Sequence, residues 1–312
     1  MRAFLFPGQG SQAVGMGVAL AEASRAARDV FGEVDEALGQ NLFKLMREGP
    51  DEQLKLTENA QPAIMAHALA VFAALTREGG VSLENAAQFV AGHSLGEYSA
   101  LAAAGSFDLA TTAKLLKLRG RAMQAAVPVG VGAMAALLGA DLELAQRIAA
   151  AAAEGEVCTV ANDNDPSQVV ISGHKDAIDR AIAIAKDMGA KRAVPLPVSA
   201  PFHCPLMQPA ADAMAEALGK TDIIAPAVPL YANVTAQAVA DPDTIRNQLV
   251  EQVTGMVRWR ESIANMAAAG VEEFVELGGK VLGPMVKRIA PDAKVTSVVT
   301  IEDIEAIAKE LA

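Results

Sequence analysis

The sequence predicts an α/β protein with a parallel sheet and a smaller unit inserted into it. Short apolar runs alternate with helical patterns over residues 1–128, and the order β-α-β-β-α-β follows over residues 129–199. The alternating pattern then resumes over residues 200–312. We therefore predict two domains, a large α/β subdomain formed by residues 1–128 and 200–312 and a ferredoxin-like subdomain formed by residues 129–199.

The first part of the large subdomain opens with an apolar run that a glycine-rich loop ends. In chain order, we predict a strand over Ala3–Phe6, helices over Met16–Leu38 and Pro62–Glu78, a strand over Gln88–Ala91, an Ala-rich helical stretch after Gly96, and a helix from Asp108 to about Gln124. Pro62 suits the first turn of its helix, because the N–H that proline lacks would have no partner there.

The inserted unit and the last part of the chain continue this alternation. In the inserted unit we predict strands over Gly132–Leu138, Val157–Ala161, Gln168–Ser172 and Arg192–Val198, and helices over Asp141–Glu154 and Asp176–Met188. After residue 203 we predict a strand over Val228–Asn233, a helix around Ile263–Ala269, a strand over Glu273–Leu277 and a helix beyond Lys280. Strands that alternate with helices in this way favour a parallel sheet.

Composition narrows the class of protein. Of the 312 residues, 52% are hydrophobic, which is enough for a large core and excludes a disordered chain or a small disulfide-stapled scaffold. The 26 Lys and Arg against 37 Asp and Glu give a net charge of −11, so the chain is a poor candidate for general nucleic-acid binding. An anionic partner would need a local basic patch.

Several features predict a cytoplasmic protein. The two cysteines, Cys158 and Cys204, have neither a disulfide framework nor a metal-ligand spacing, which fits a reducing compartment. We expect Cys204 to be a buried, inert thiol. Pro7 interrupts the N-terminal apolar run before it reaches signal-peptide length. The longest uncharged stretch, Ala122–Ala140, contains proline and glycines, so we expect no membrane segment.

The strongest chemical signal is the run Gly92-His93-Ser94-Leu95-Gly96, which matches the pattern G-x-S-x-G. An apolar strand precedes this run and a helix follows it, as the sharp turn of a nucleophilic serine requires. The helix N-terminus also favours negative charge at the serine. Ser94 is therefore the candidate nucleophile, and the alternative is an ordinary strand-to-helix turn built from small residues.

A serine hydroxyl needs an adjacent base, and four histidines are available. We expect His67 to pack inside its helix, His174 to lie at the surface or cap a helix, and the ring of His93 to point away from Ser94. His203 lies in a loop where the chain leaves the predicted small subdomain, and such loops often carry site residues. His203 is thus the candidate base, although its position also allows a structural role.

Two further segments are candidates for the site. The loop Pro7–Gln12 lacks the endings of phosphate-binding and dinucleotide-binding loops, but it could offer a backbone N–H to an oxyanion together with the N–H of Leu95. A plain connection is the alternative. Arg119 precedes Gly120, which permits close backbone approach, so its guanidinium could point inward and hold a carboxylate. A solvated cationic helix face is the alternative there.

Taken together, five separated motifs resemble the malonyl-CoA:acyl carrier protein transacylase family of dissociated fatty-acid synthesis. The motifs are Phe6–Gln12, Gln61–Ala63, Gly92–Tyr98, Arg119-Gly120 with Met123-Gln124, and Pro201–His203. The resemblance extends from Phe4 to about Ile289. It implies an α/β-hydrolase-like large subdomain with a ferredoxin-like insertion, in agreement with the pattern of predicted elements.

The resemblance also implies a role for each site residue. Ser94 would carry the malonyl group, His203 would transfer the protons, and Arg119 would pair with the free malonyl carboxylate. The remaining implied roles are an oxyanion hole from the backbone amides of Gln9 and Leu95, a backbone carbonyl at Gln252 that orients the histidine, and substrate contacts from Gln61, Asn162 and Phe202. The resemblance associates a phenylalanine at position 202 with malonyl rather than branched acyl units.

The implied function is malonyl transfer from malonyl-CoA to the phosphopantetheine thiol of acyl carrier protein. Malonyl-CoA is a substrate, and the resemblance implies no cofactor and no metal; we expect no nucleic-acid or membrane partner, and a monomer. Two alternatives remain: an esterase or thioesterase that uses the same Ser-His pair, and a non-catalytic binding module. Because the carrier protein of this pathway is acidic, Lys191-Arg192 and Lys287-Arg288 are the candidate basic patch.

Overall fold

The computed structural model describes residues 1–311. The strands are β1 (Arg2–Phe6), β2 (Phe89–Gly92), β3 (Gly132–Leu138), β4 (Cys158–Asp165), β5 (Gln168–His174), β6 (Arg192–Pro195), β7 (Leu230–Tyr231), β8 (Ala238–Val239), β9 (Glu273–Leu277) and β10 (Lys294–Val298). The helices are α1 (Val18–Ala23), α2 (Arg25–Leu38), α3 (Leu42–Glu48), α4 (Asp51–Lys55), α5 (Thr57–Ala73), α6 (Leu83–Ala86), α7 (Gly96–Ala103), α8 (Leu109–Ala125), α9 (Leu142–Ala153), α10 (Lys175–Ala185), α11 (Gln208–Gly219), α12 (Pro242–Thr254), α13 (Trp259–Ala268), α14 (Leu282–Ile289) and α15 (Ile301–Leu311).

The larger sheet has six strands in the order β10-β9-β1-β2-β7-β8. Adjacent strands in this sheet are parallel, except that β7 and β8 are antiparallel to each other, so the predicted parallel sheet is confirmed. Strand β1 lies between β9 and β2, and its residues Ala3 to Phe6 are fully buried. Strands that are covered on both faces contain continuous apolar runs, which explains the sequence of β1.

The smaller sheet has four antiparallel strands in the order β4-β5-β3-β6. Helices α9 and α10 pack on it, and the buried side chains between them form a separate apolar cluster that includes Leu137, Ile148 and Ile171. The chain order of these elements is β-α-β-β-α-β, as the sequence predicts. The domain boundaries at residues 128–129 and 199–200 stay predictions.

Two predicted helices differ from the observed ones. The single helix predicted over Met16–Leu38 is broken at Ser24, which is extended and whose hydroxyl accepts the Ala27 N–H at 3.0 Å as an N-cap. The helix predicted to begin at Pro62 begins at Thr57 and ends in a π-helical turn over Ala74–Glu78. Pro62 thus lies inside α5, where the burial of this helix on nearly all sides stabilises it despite the missing bond.

The last third of the chain contains elements that the sequence pattern did not indicate. Helices α11 and α12 pack against each other beside the larger sheet, and β10 adds an edge strand next to β9 before α15. Strand β10 is only partly buried, so it lacks the apolar run by which β1 was found. Among residues 1–311, no helix combines the length and the hydropathy that crossing a membrane requires.

Candidate active site

Ser94 lies on the sharp turn between β2 and α7, with a φ of 54°. The two flanking glycines make this turn sterically feasible. A Cβ on Gly92 would lie 1.9 Å from the carbonyl carbon of Gly96, and a Cβ on Gly96 would lie 2.3 Å from the carbonyl oxygen of Phe6. The G-x-S-x-G pattern is therefore explained by close backbone packing around a serine in the left-handed region.

The side chains of Ser94 and His203 are in contact. The Oγ of Ser94 lies 2.7 Å from Nε2 of His203, and Nδ1 of His203 lies 2.8 Å from the backbone oxygen of Gln252. Because a carbonyl oxygen only accepts, Nδ1 donates to Gln252, which leaves the lone pair of Nε2 for the Ser94 hydroxyl. This is the arrangement of a serine with its general base.

The environment of His203 favours the neutral imidazole. His203 is 4% exposed, and burial together with the positive charge of Arg119 lowers its pKa from 6.5 to about 3. The bond to the Gln252 carbonyl opposes this shift without cancelling it. A neutral His203 can accept the Ser94 proton over the whole range in which most enzymes work.

The side chain of Arg119 points inward, which is one of the two positions that the sequence left open for it. Its guanidinium is 1% exposed and donates to the side-chain oxygens of Gln61 and Gln252, each at 2.8 Å, and to Oγ of Ser94 at 3.2 Å. Its Nε has no hydrogen-bond partner within residues 1–311. The ring of Tyr98 covers the guanidinium, with 5.8 Å between Cζ and the ring centroid. A buried cation beside the Ser94 hydroxyl is suited to bind an anionic group.

Two backbone amides are available near the hydroxyl of Ser94. Gln9, in the glycine-rich loop, and Leu95 both line the same cavity as Ser94, and neither N–H donates to another described residue. The loop packs tightly on the turn, since a Cβ on Gly8 would lie 2.6 Å from the backbone oxygen of His93. These free amides could stabilise an oxyanion.

A cavity of about 380 Å³ joins these groups. It lies between the two sheets, so residues from both subdomains line it. The predicted substrate-contacting residues Gln61, Asn162 and Phe202 are in its wall, and the apolar part includes Met134, Val170, Leu196 and Met285. The cavity therefore has a polar end at Ser94 and a largely apolar remainder.

The sequence did not single out Glu97 and Asn233, which lie beneath the serine. The side-chain oxygen of Asn233 accepts the Ser94 N–H at 2.8 Å, and Glu97 accepts the Asn233 N–H at 2.7 Å. The side chain of Gln252 also donates to Glu97. Burial raises the pKa of Glu97, and these two hydrogen bonds and the charge of Arg119 oppose this shift by stabilising the ionised form. A charged residue in the apolar Gly96–Ala103 helix was the available signal.

The other three histidines are not hydrogen-bonded to Ser94. His67 is buried and bonds to the Gly278 carbonyl, and Nε2 of His93 lies 2.8 Å from Asn164, away from Ser94. His174 is at the N-cap position of α10, one of the two options predicted for it, but its ring accepts the Val157 N–H and makes no capping bond to the helix. Cys204 is buried, as predicted, and burial raises the pKa of its thiol.

One of the two predicted basic pairs is committed elsewhere. Arg288 bonds to Asp165, which is 0% exposed, at 2.8 Å, and Nζ of Lys287 donates to the carbonyl of Ala293 at 2.6 Å. Lys191 and Arg192 are both exposed. Lys287 and Arg288 are exposed as well, but of these four residues only Lys191 and Arg192 have side chains without a hydrogen bond or ion pair within residues 1–311.

Comparison with known sequences agrees with this geometry. Residues 3–282 match the Acyl transferase domain family. The chain is 46% identical to the malonyl CoA-acyl carrier protein transacylase of Escherichia coli K12 over 288 residues, which is 92% of each chain. It is 44% identical to the transacylase of the same name from Bacillus subtilis over 305 residues, which is 97% of this chain and 95% of the relative.

Solved structures lead to the same family. The acyl-carrier-protein-S-malonyltransferase of Bartonella henselae superposes with a TM-score of 0.97 at 52% identity, over 99% of both chains. A malonyl-transacylase in complex with a type II polyketide acyl carrier protein superposes with a TM-score of 0.95 at 39% identity, again over 99% of both chains. The fold is thus an α/β-hydrolase-like subdomain with a ferredoxin-like one, and the chain belongs to the malonyl-CoA:acyl carrier protein transacylase family.

Proposed function

We propose that this chain transfers a malonyl group from malonyl-CoA to the phosphopantetheine thiol of acyl carrier protein through an ester on Ser94. The observation that carries the proposal is that two groups meet at the Ser94 hydroxyl, His203 at 2.7 Å and Arg119 at 3.2 Å. The relatives named malonyl CoA-acyl carrier protein transacylase, and the solved complex with a carrier protein, support it.

In the first half-reaction, Nε2 of His203 takes the proton of Ser94 as Oγ attacks the thioester carbonyl. The developing oxyanion would accept hydrogen bonds from the backbone N–H groups of Gln9 and Leu95. When the intermediate collapses, the carbon–sulfur bond breaks and His203 returns its proton to the leaving CoA thiolate. The product is malonyl-Ser94 and free CoA.

The second half-reaction reverses these steps with a different thiol. His203 would take the proton of the phosphopantetheine thiol as its sulfur attacks malonyl-Ser94, and the proton would then return to Oγ of Ser94. The result is a ping-pong route in which CoA leaves before the carrier protein reacts. Each proton and each charge is handled by a residue of the chain, so the proposal includes no cofactor.

Arg119 would recognise the free carboxylate of the malonyl group. The guanidinium is anchored at both terminal nitrogens by Gln61 and Gln252, which fixes its plane, and Arg119 lines the same cavity as Ser94. A buried guanidinium that is already held in place loses little side-chain freedom on binding a carboxylate. We propose that Gln61, Asn162 and Phe202 complete the wall around the acyl group.

The alternatives differ in the second acceptor. An esterase or thioesterase would use the same Ser94 and His203 with water, but the family assignment and the buried Arg119 support a transferase. A non-catalytic module would have no need of the short Ser94–His203 contact.

Intact-protein mass spectrometry tests the proposal. After mixing with malonyl-CoA, the protein is expected to gain the mass of one malonyl group on Ser94, and adding carrier protein should remove that group and load it on the carrier thiol. The Ser94→Ala variant is the control that should gain no mass. Rapid release of malonate without any thiol acceptor would favour the hydrolase, and no mass gain in the parent protein would favour the binding module.

We further propose that acyl carrier protein docks near the exposed Lys191 and Arg192, and that the chain works in the cytoplasm. A double charge reversal at Lys191 and Arg192 should raise the KM for carrier protein and leave the rate of Ser94 acylation by malonyl-CoA unchanged. Equal KM values for the variant and the parent would remove this surface from the proposal. That the chain is a monomer stays a prediction.

A further inference from the structure

Glu97 is a buried carboxylate that does not reach the substrate cavity. It lies in the first turn of α7, three residues after Ser94, is 2% exposed, and is absent from the cavity wall. Burying a carboxylate is unfavourable unless hydrogen bonds hold it. The partners of its two oxygens therefore indicate what this residue does.

One oxygen of Glu97 holds the backbone of the serine turn. Oε1 accepts the backbone N–H of Asn233 at 2.7 Å. The side chain of Asn233 in turn accepts the Ser94 N–H at 2.8 Å and donates to the Gly92 carbonyl at 2.8 Å. Asn233 thus bonds to both sides of a turn whose central residue has a strained φ of 54°.

The other oxygen holds the residue that connects the base and the cation. Oε2 accepts from Nε2 of Gln252. Gln252 fixes the imidazole of His203 through its backbone oxygen and the guanidinium of Arg119 through Oε1, each at 2.8 Å. Its Nε2 also donates to the Ser94 carbonyl at 2.9 Å. Gln252 thus contacts all three residues of the site, His203 through its backbone oxygen and Arg119 and Ser94 through its side chain.

The orientation of the Gln252 amide makes the carboxylate of Glu97 necessary. Arg119 has only donors, so the amide oxygen of Gln252 must face it, and the amide nitrogen must then face the Ser94 carbonyl and Glu97. Both oxygens of Glu97 consequently act as acceptors, which is the geometry of an ionised carboxylate, and Arg119 also favours the ionised form against the effect of burial. A glutamine at position 97 would turn its own N–H donor toward one of the two N–H groups that the carboxylate now accepts from, and that pair of donors could not bond.

We propose that Glu97 is a positioning residue for acyl transfer, which sets the relative positions of Ser94, His203 and Arg119 by holding Asn233 and Gln252; this inference rests on the function proposed above. A charge that only complemented the N-terminus of α7 would not need these two partners. Because a misplacement of about 1 Å can slow a reaction on the order of 100-fold, loss of the anchor should affect the chemical step.

The test compares Glu97→Gln with the parent protein in single-turnover acylation by malonyl-CoA, followed by mass spectrometry. The rate is divided by the fraction of molecules that acquire the malonyl group at the end point, so that misfolded protein does not lower it. We expect a rate per competent site roughly 10- to 100-fold below that of the parent. In the Gln252→Ala background the same change should have a markedly smaller effect, because the two residues act through one contact.

Glu273→Gln is the matched control. Glu273 is a partly buried carboxylate at the start of β9 in the larger sheet, paired with Arg2 and Lys294, whereas Ser94 follows the carboxyl end of β2 in that sheet. This control should lower stability but leave the rate per competent site unchanged. If Glu97→Gln does not fold, Glu97→Asp takes its place in the test. Aspartate keeps the carboxylate but shortens the side chain, so the acylation rate of Glu97→Asp should be below that of the parent.

The outcomes separate the inference from the proposed function. A parent protein that never becomes acylated would refute the proposed function itself. If the parent is acylated and Glu97→Gln has the same rate per competent site, the positioning role alone is refuted. The same holds for Glu97→Asp where that variant is used. Full additivity with Gln252→Ala would also refute it.

Discussion

Nε2 of His203 lies 2.7 Å from Oγ of Ser94, although the two residues are 109 positions apart in the chain. Both have a positive φ, 54° at Ser94 and 55° at His203, so each lies in a backbone conformation that non-glycine residues rarely adopt. Strained backbone of this kind persists where the surrounding structure holds it, and it is concentrated at active sites.

Because Nε2 of His203 is the base that contacts the Ser94 hydroxyl, removing the imidazole should remove base catalysis. We expect His203→Ala to slow the acylation of Ser94 by malonyl-CoA roughly 100- to 10,000-fold, the range for a general base. Single-turnover mass spectrometry measures this rate. His174→Gln, in the smaller sheet, is the control and should keep the parent rate. Acylation of His203→Ala at the parent rate would show that another group takes the proton.

The low pKa of His203 makes a second prediction. Because its pKa is lowered from 6.5 to about 3, the imidazole of His203 should stay neutral between about pH 8 and about pH 5. At about pH 5 an ordinary histidine would be only about 3% neutral. Imidazole nitrogen NMR, with the signal assigned by its loss in His203→Gln, measures the protonation directly. A titration of that signal near pH 6.5 would contradict the buried, carbonyl-bonded geometry.

The same shift has a consequence for stability. The unfolded chain takes up a proton at His203 as the pH falls below 6.5, whereas the folded chain does so only near pH 3. The contribution of His203 to the free energy of unfolding is thus complete above pH 6.5 and is lost as the pH falls from 6.5 to about 3. Urea titrations should show that the parent loses stability faster than His203→Gln across this interval.

Arg119 should decide which acyl group is used. In Arg119→Ala, a malonyl carboxylate would enter the buried site without a partner, so we expect kcat/KM for malonyl-CoA to fall roughly 30- to several-thousand-fold, or about 2 to 5 kcal/mol. Acetyl-CoA has no carboxylate and should be affected far less. The ratio of the two kcat/KM values is the measurement. An equal fall for both donors would mean that Arg119 serves only the Ser94 hydroxyl that it contacts.

How much of the site the sequence could predict depends on how local each signal is. The turn at Ser94 is a local feature, because the glycines and the strand and helix around it lie within a few residues. The contact of His203 with Gln252 joins residues 49 positions apart, and that of Gln252 with Ser94 joins residues 158 positions apart. No spacing rule encodes these contacts, so only the resemblance suggested Gln252.

The elements that were missed have a similar explanation. Glu97 is a charged residue in an alanine-rich helix, and a charge in such a helix ordinarily lies at the surface; only tertiary packing buries it. Pro62 suggested a helix start because its missing N–H suits the first turn, but the packing of α5 extends the helix five residues before it. Tertiary contacts outweighed the local preference at both positions.

The glycines of the serine turn allow a final prediction, on stability. A Cβ at Gly92 would lie 1.9 Å from backbone atoms of Gly96, and backbone cannot move aside as a flexible side chain can. We expect Gly92→Ala to lower the free energy of unfolding by about 1 to 3 kcal/mol, through overpacking of the turn. Gly32→Ala is the matched control. Gly32 lies inside α2 with no atom within 4 Å of the added Cβ, so alanine there should raise stability by about 0.5 to 1 kcal/mol. Urea unfolding of both variants measures the difference, and a Gly92→Ala protein as stable as the parent would mean that the turn tolerates a side chain at its strand side.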